Sequence, residues 1–368
     1  MLRFALLALA LFGCASARQG EGSLPSGPQG ADTETPRPHF ELHAVDVGTG
    51  LGVFVSGPDF ALVYDAGSND DTAIGDRNRF TAYLRSIEPD RETIQHVLLS
   101  HPHRDHVELL ADVIADYAVE NVWEPGVVNP ICGYRRFLEA IAARPSVQYH
   151  TAAFDRGAHQ IDFGREVCNL SPIVSVTHAA RAEENAPIAL GWRASMTLLH
   201  VDGEKHSDFN QSSLVALLDL DGVKVLLMGD AEAGSSDLEK APTPKSIEGH
   251  LLAKYRTQID ADVLIVGHHG STTSSHRAFI DAVTPKISVI SAGPTKYHAI
   301  TLPEAEVVAA LAGVSEVFQT TVDHDDAACL SNEAKIGPDN DNNPGGCDNV
   351  VIEMQAGKLE PSYSRSAD

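Results

Sequence analysis

The chain runs to 368 residues with 51 acidic against 27 basic side chains, a formal charge of −24, and 43% of its residues are hydrophobic. That composition supports one or two folded domains with an ordinary buried core and excludes general disorder. It also opposes extended binding to polyanions, because affinity for nucleic-acid backbones comes chiefly from Lys and Arg neutralising phosphates.

In chain order, residues 1–13 are a short basic start followed by an apolar run. The run is below the roughly 20 residues a membrane-spanning helix needs, so it predicts an export signal. Cys14 follows Leu11-Phe12-Gly13, which resembles the bacterial lipoprotein box, with Phe12 an atypical member. The resemblance implies a cell-envelope lipoprotein held to the membrane by a lipid on Cys14, with a soluble secreted or periplasmic protein as the alternative. Residues 14–38 are mostly small, Pro, Gly and polar, and predict a flexible tether. No linker-like break follows, so 39–362 reads as a single domain and 363–368 as a tail.

From Phe40 the pattern becomes short β runs: Phe40–Val47, Gly52–Val55 and Phe60–Tyr64. Strand and helix then alternate. Helices are predicted over Arg77–Ile87, Glu108–Tyr117 and Arg136–Ala143, and strands over Gln95–Leu99, Val119–Trp123 and Val147–His150. Asp155–Ser207 is irregular apart from a strand at Met196–Val201. Asp221-Gly222 between the runs Ser213–Leu220 and Val223–Met228 is a strong hairpin signal. Beyond it come helices at Ser246–Tyr255, His276–Val283 and Pro303–Leu311, with strands at Asp262–Val266, Ile287–Ser291, Val317–Thr320 and Asn349–Gln355. Helices interspersed through both halves of such a chain predict an α/β protein of two sheets packed face to face under helices.

Four cysteines follow Cys14: Cys132, Cys168, Cys329 and Cys347. An even count in an exported chain predicts disulfides, of which three pairings are possible. Cys329 with Cys347 brackets a polar loop and is favoured, which leaves Cys132 with Cys168.

The strongest chemical signal is Ser100-His101-Pro102-His103-Arg104-Asp105-His106, directly after a strand. Three imidazoles and a carboxylate supply the nitrogen and oxygen donors that zinc or a similar divalent ion takes. At a strand's end such a loop can splay His101 and His103 to one ion, and Asp105 and His106 to another. Asp230 ends the second strand of the hairpin. His268-His269 closes a later strand before Gly270-Ser271, and one of the two can ligate a metal or shuttle a proton.

His-x-His-x-Asp-His resembles the metallo-β-lactamase superfamily. The likeness extends to His43–Gly52, Leu62-Val-Tyr-Asp-Ala-Gly67, Leu227-Met-Gly-Asp230 and Val266-Gly-His-His-Gly-Ser271, which are similar to the soluble hydrolase domain of ComEC-type competence proteins over roughly residues 40–356. The resemblance implies an αββα sandwich with one or two divalent ions at the sheet edge, zinc first and manganese second. Within it Asp230 bridges the ions, His101 and His103 complete one set, and Asp105, His106 and a later histidine complete the other. Asp65 is implied to orient the His101–His106 loop, and His298 matches the last histidine ligand. One departure stands out. Where many members carry a histidine, this chain has Phe209-Asn210-Gln211-Ser212 with His200 and His206 nearby, and Asn210 predicts weaker or more hydrated binding of one ion.

The resulting expectation is an exported metallo-hydrolase in which a water activated on the ions attacks a phosphoester or phosphodiester. Asp105 is a general base if the second ion is absent, His269 a proton shuttle, and Ser271 with neighbouring amides a stabiliser of developing charge. The substrate is small or a locally held phosphodiester. A lactamase or lactonase ranks lower, and a non-catalytic, metal-binding envelope partner is the alternative of another class. Asp323–Asp348 holds seven acids and one Lys. Its Asp339–Asn343 stretch alternates oxygen donors but lacks the closing Glu of a calcium loop, which predicts a solvated loop rather than a calcium site.

Overall fold

Alternation within the strands sets the layering of the molecule. The computed structural model describes residues 37–70, 74–293, 295–297, 299–320 and 349–364. Cys14, Cys329, Cys347, His298 and Asp339–Asn343 therefore lie outside the described residues, as do the N-terminal segment and most of the tether. The first half of the described chain forms β1 (His39–Ala44), β2 (Gly52–Ser56), β3 (Ala61–Ala66), α1 (Arg79–Ile87), β4 (Thr93–Leu98), α2 (Arg104–Val107), α3 (Leu110–Asp116), β5 (Ala118–Glu124), α4 (Cys132–Ala142), β6 (Gln148–Thr151), β7 (Gly157–Asp162) and β8 (Ile173–His178). The second half adds β9 (Pro187–Gly191), β10 (Ala194–His200), β11 (Val215–Leu220), β12 (Val223–Leu227), α5 (Ile247–Lys254), β13 (Val263–Ile265), α6 (Arg277–Val283), β14 (Ile287–Ile290), β15 (Lys296–Tyr297), β16 (Ile300–Thr301), α7 (Ala305–Ala312), β17 (Glu316–Gln319), β18 (Asn349–Gln355) and β19 (Lys358–Ser364).

The strands make a ten-stranded sheet, β19-β18-β1-β2-β3-β4-β5-β6-β8-β7, and a seven-stranded sheet, β17-β14-β13-β12-β11-β10-β9. In β3, Ala61 and Val63 face α1, α3 and α4, whereas Leu62 and Tyr64 face the other sheet. In β12, Val225 and Leu227 face the first sheet and Leu226 faces α5, α6 and α7. Side chains of period two thus feed three apolar layers: helices on sheet, sheet on sheet, sheet on helices. The result is the expected αββα sandwich. β3 to β6 run parallel, as do β12, β13, β14 and β17, so helical crossovers join them. Each set delivers its strand C-termini to one edge.

Several elements differ from the sequence reading. The helix expected over Glu108–Tyr117 is α3, a further short helix, α2, precedes it, and α4 begins at Cys132 rather than Arg136. β7, β8, β9 and β19 were not foreseen. β7 and β9 are largely solvent-exposed, so they carry little apolar alternation to read, and β19 holds Pro361 on an edge where no ladder donor is needed. Cys132 is joined to Cys168 across a separation of 36 residues, as expected for that pair.

Candidate metal centre

The two parallel strand sets meet at a cluster of imidazoles around one carboxylate. β4 runs out at Leu98, and Ser100 N donates to Asp65 Oδ1 at 2.6 Å, which turns the His101–His106 segment across the end of the sheet. Asp65 itself sits at φ 55°, a left-handed conformation that non-glycine residues adopt rarely. β12 ends one residue before Met228. Gly229, at φ 55°, then approaches Ser100 so closely that a Cβ would lie 2.6 Å from the Ser100 Cβ. Asp230 follows, its amide held by Ser213 Oγ at 3.1 Å. After β13, His268 and His269 both take φ near +50°, and His268 N donates to Gly229 O at 3.0 Å. Three left-handed histidine and aspartate residues in one site amount to backbone strain held by the surrounding fold.

Two groups of ligand atoms result, His101 with His103 and Asp230, and Asp105 with His106 and His269. His101 Nε2 is 2.9 Å from His103 Nδ1, and His106 Nε2 is 3.2 Å from His269 Nε2. Ligands on one tetrahedral ion with bonds of about 2.0–2.1 Å stand roughly 3.3 Å apart, so both pairs fit a single cation each. Asp230 lies between them. Its Oδ1 is 3.1 Å from His106 Nε2 and 3.5 Å from His269 Nε2, and its Oδ2 is 3.7 Å from His101 Nε2. Oδ1 is buried yet accepts no hydrogen bond of good geometry, an unsatisfied state that a cation relieves. The far nitrogens are committed: His106 Nδ1 donates to Asp65 Oδ2 and His269 Nδ1 to Ser291 O, each at 2.8 Å. Both Nε2 atoms are thereby aimed into the site.

The electrostatics agree. Burial would raise Asp230, but His106, His269 and His268 outweigh it and hold the carboxyl well below the ordinary range. Burial and the neighbouring His106 charge push His101 well below the usual imidazole value, which leaves it neutral and ready to donate a lone pair. On His106, burial is overcome by Asp230 and Asp65, and the ring is pushed well above its usual value. The negative field that favours a proton there equally favours a divalent cation. Burial raises Asp65 above the usual carboxylate value.

A sequence model of the metallo-beta-lactamase superfamily matches residues 45–167, the stretch that carries Asp65 and the His101–His106 segment. That stretch, about a third of the chain, carries the likeness to the metallo-β-lactamase superfamily. Among curated relatives, Recombination protein 2 of Haemophilus influenzae is 26% identical over 258 residues, 70% of this chain and 25% of that protein. ComE operon protein 3 of Bacillus subtilis is 38% identical over 90 residues, 24% of this chain and 10% of that protein. The chain spans about a quarter or less of the curated relatives it matches. Among solved structures, the metallo-beta-lactamase fold protein YhfI of Bacillus subtilis superposes with a TM-score of 0.44 at 12% identity, covering 77% of this chain and 97% of that one.

The remaining expected residues divide. His269 joins the second group, but His268 stands beside both groups and in neither. Its Nδ1 is 3.1 Å from Glu232 Oε1 and 2.8 Å from Thr273 Oγ1, while its Nε2 faces the Asn210 amide at 3.3 Å and Asp230 Oδ2 at 4.0 Å. Burial would lower His268, but Asp230 and Glu232 prevail and hold it up to about 8. Asn210, 4% exposed, leaves its Oδ1 without a partner. Ser271 does not fit its expected role: its amide donates to His268 O at 2.9 Å and its hydroxyl points to Glu304 Oε1 at 3.4 Å, so both donors are turned into the protein. His200 gives its Nδ1 to Ser213 O at 2.7 Å and His206 its Nε2 to Asp202 Oδ2 at 2.8 Å, and neither enters a group.

Sequence reasoning missed Glu232, Asn69 and Tyr297. Asn69 and Tyr297 both donate to Asp105 Oδ2, at 2.8 and 2.9 Å. Burial and the Asp105 charge push the Tyr297 phenol up, so it remains a donor. Glu232 lies two residues beyond Asp230 and Asn69 four beyond Asp65, so nearness in sequence to a recognised site residue was the available signal.

Proposed function

We propose that this chain is an exported metal-dependent hydrolase of phosphoester or phosphodiester bonds. The observation that carries the reading is the shared Asp230 carboxylate with a His/Asp group on each side. When bound, divalent ions at two such groups lower the pKa of a water and offset charge on the reacting phosphoryl oxygens. Zinc suits the imidazole-rich donors, with manganese the alternative given four carboxylate oxygens close by.

The chain's own residues do the rest. Asp65 and Ser291 O fix the tautomers of His106 and His269. Glu232 accepts from His268 Nδ1 and leaves Nε2 to donate a proton to the departing oxygen, with the partly exposed ring, 24% accessible, open to reprotonation from solvent. That donor suits an alkoxide leaving group, and His268 also faces an anionic substrate with positive charge. The names of the relatives, competence and recombination proteins among them, favour a nucleic-acid or nucleotide phosphodiester. The net charge of −24 favours a short or locally held one over a long duplex. The Cys132–Cys168 disulfide supports export, since such bonds persist in oxidising compartments. No helix among the described residues is long and apolar enough to cross a membrane, and attachment to a membrane through a lipid on Cys14 is part of this proposal.

Hydrolysis of bis-p-nitrophenyl phosphate and of nitrocefin by the purified chain, with manganese or zinc, tests the reading. Metal-dependent turnover of the phosphodiester, reduced at least about 100-fold in Asp230→Ala, is expected from loss of charge stabilisation at both groups. Equal turnover in that variant, or preference for nitrocefin, overturns it.

A further inference from the structure

Asp105 begins α2 with its backbone already fixed. Its carbonyl accepts from Leu51 N at 2.9 Å, and Gly67 packs against the Asp105–His106 peptide so tightly that a Cβ there would collide. The side chain still has two torsions, and a carboxylate can present either oxygen to a cation. One oxygen is selected. Oδ2 receives the Asn69 amide at 2.8 Å and the Tyr297 hydroxyl at 2.9 Å, and Asn69 also reaches the Tyr297 hydroxyl at 2.8 Å. That oxygen is also the one 3.8 Å from His269 Nε2.

The two donors reach Asp105 from distant parts of the chain. Asn69 lies in the loop after β3, and Asp65 is the penultimate residue of that strand, so one short segment aims both His106 and Asp105. Asn69 N is itself held by Thr49 O at 2.7 Å. Tyr297 comes from β15, in the two-stranded hairpin that follows β14. We propose that Asn69 and Tyr297 are a positioning pair for Asp105, which hold its Oδ2 toward His269 so that the second group can take a divalent ion. The inference rests on the two-cation reading above and adds the residues that make the second group competent. Tyr297 is thereby a positioning residue, acting through Asp105 rather than on the ion.

Partners that orient a metal ligand typically change metal affinity by 10–100-fold when removed. Calorimetric titration of manganese into the metal-stripped full chain reads this directly, repeated in a His103→Ala background that isolates the second group. Tyr297→Phe keeps the ring and loses only the hydroxyl. Two ions are expected to bind the unaltered chain. Tyr297→Phe and Asn69→Ala are each expected to weaken the second-group ion about 10-fold, in both backgrounds, and to leave the first-group ion unchanged. A fall in melting temperature with an unchanged second-group affinity means the pair serves only the fold, and overturns the inference alone. Absence of any bound ion in the unaltered chain overturns both the inference and the reading beneath it.

Discussion

Asp230 is placed by backbone geometry before any ion is considered: Gly229 supplies the left-handed turn, Ser213 Oγ holds the amide, and the imidazole rings of His106, His269 and His268 hold it ionised. Asp65 acts one step back, with one oxygen on Ser100 N and the other on His106. Asp65→Asn keeps the size but replaces an acceptor with a donor facing His106 Nδ1. It is expected to weaken binding of the second-group ion about 10–100-fold in an equilibrium zinc titration. Glu232→Gln probes the proton donor. Because general acid catalysis matters most where the leaving group is a poor one, this variant is expected to lose about 10²-fold or more on an alkyl phosphodiester, and much less on a p-nitrophenyl ester. Equal losses on both substrates would remove His268 from that role. At this scale much was legible, since His101, His103, Asp105, His106 and Asp230 stand in compact motifs whose donor chemistry speaks without a structure. Glu232, Asn69 and Tyr297 were not legible, because their meaning lies in which oxygen or nitrogen they reach across the fold. The split of His268 from His269 depends on two successive left-handed residues, which no residue pattern announces.

At the scale of elements, the apolar runs of β3 and β12 and the amphipathic helices α1 and α4 were readable, whereas β8 was missed although its residues alternate between exposed and buried. β7, β9 and β19, where burial is slight, were missed as well. Two contacts between elements carry predictions. The Cys132–Cys168 bond ties the start of α4 to the segment before β8, and α4 packs beside α2 through Arg136 on Glu108 at 2.6 Å. Closing a loop of 36 residues is worth about 3–4 kcal/mol in the chain-entropy account. Replacing both cysteines with Ala is expected to lower stability to urea by about that amount, while a loss under about 1 kcal/mol would show the bond to be incidental. The second contact is Glu248 of α5, fully buried, which accepts from the Ser275 and His276 amides at the start of α6. Burial pushes its carboxyl up to about 8. Below about pH 4.5 both folded and unfolded chains hold that proton, so the group adds no pH dependence. From there to about pH 8 only the folded chain holds it, and stability falls as pH rises by up to about 1.4 kcal/mol per unit, levelling above. Urea unfolding at pH 5, 6 and 7 is expected to show a steeper decline in the unaltered chain than in Glu248→Gln. Parallel curves would place the raised value in doubt.

For the whole molecule, the sandwich explains how distant segments make one site: two parallel strand sets, in separate sheets, end at a common edge, and the inter-sheet core of residues such as Leu62, Tyr64, Leu198 and Val225 holds those ends in register. Tyr64 crosses between the sheets to donate to Leu214 O at 2.7 Å, close to the segment that carries Ser213. The acidic surplus, which set aside broad nucleic-acid binding at the outset, has a local counterpart at this edge. There, ionised Asp230 and its neighbours form a field suited to cations rather than a general obstacle to phosphate chemistry. The central claim is that two divalent ions share Asp230, and elemental analysis of the purified chain after equilibration with zinc and desalting tests it most directly. The account predicts about two zinc ions per chain, with one or none retained in Asp230→Ala because both groups lose their common oxygen ligand. No zinc in the unaltered chain, or two still held by Asp230→Ala, would contradict it.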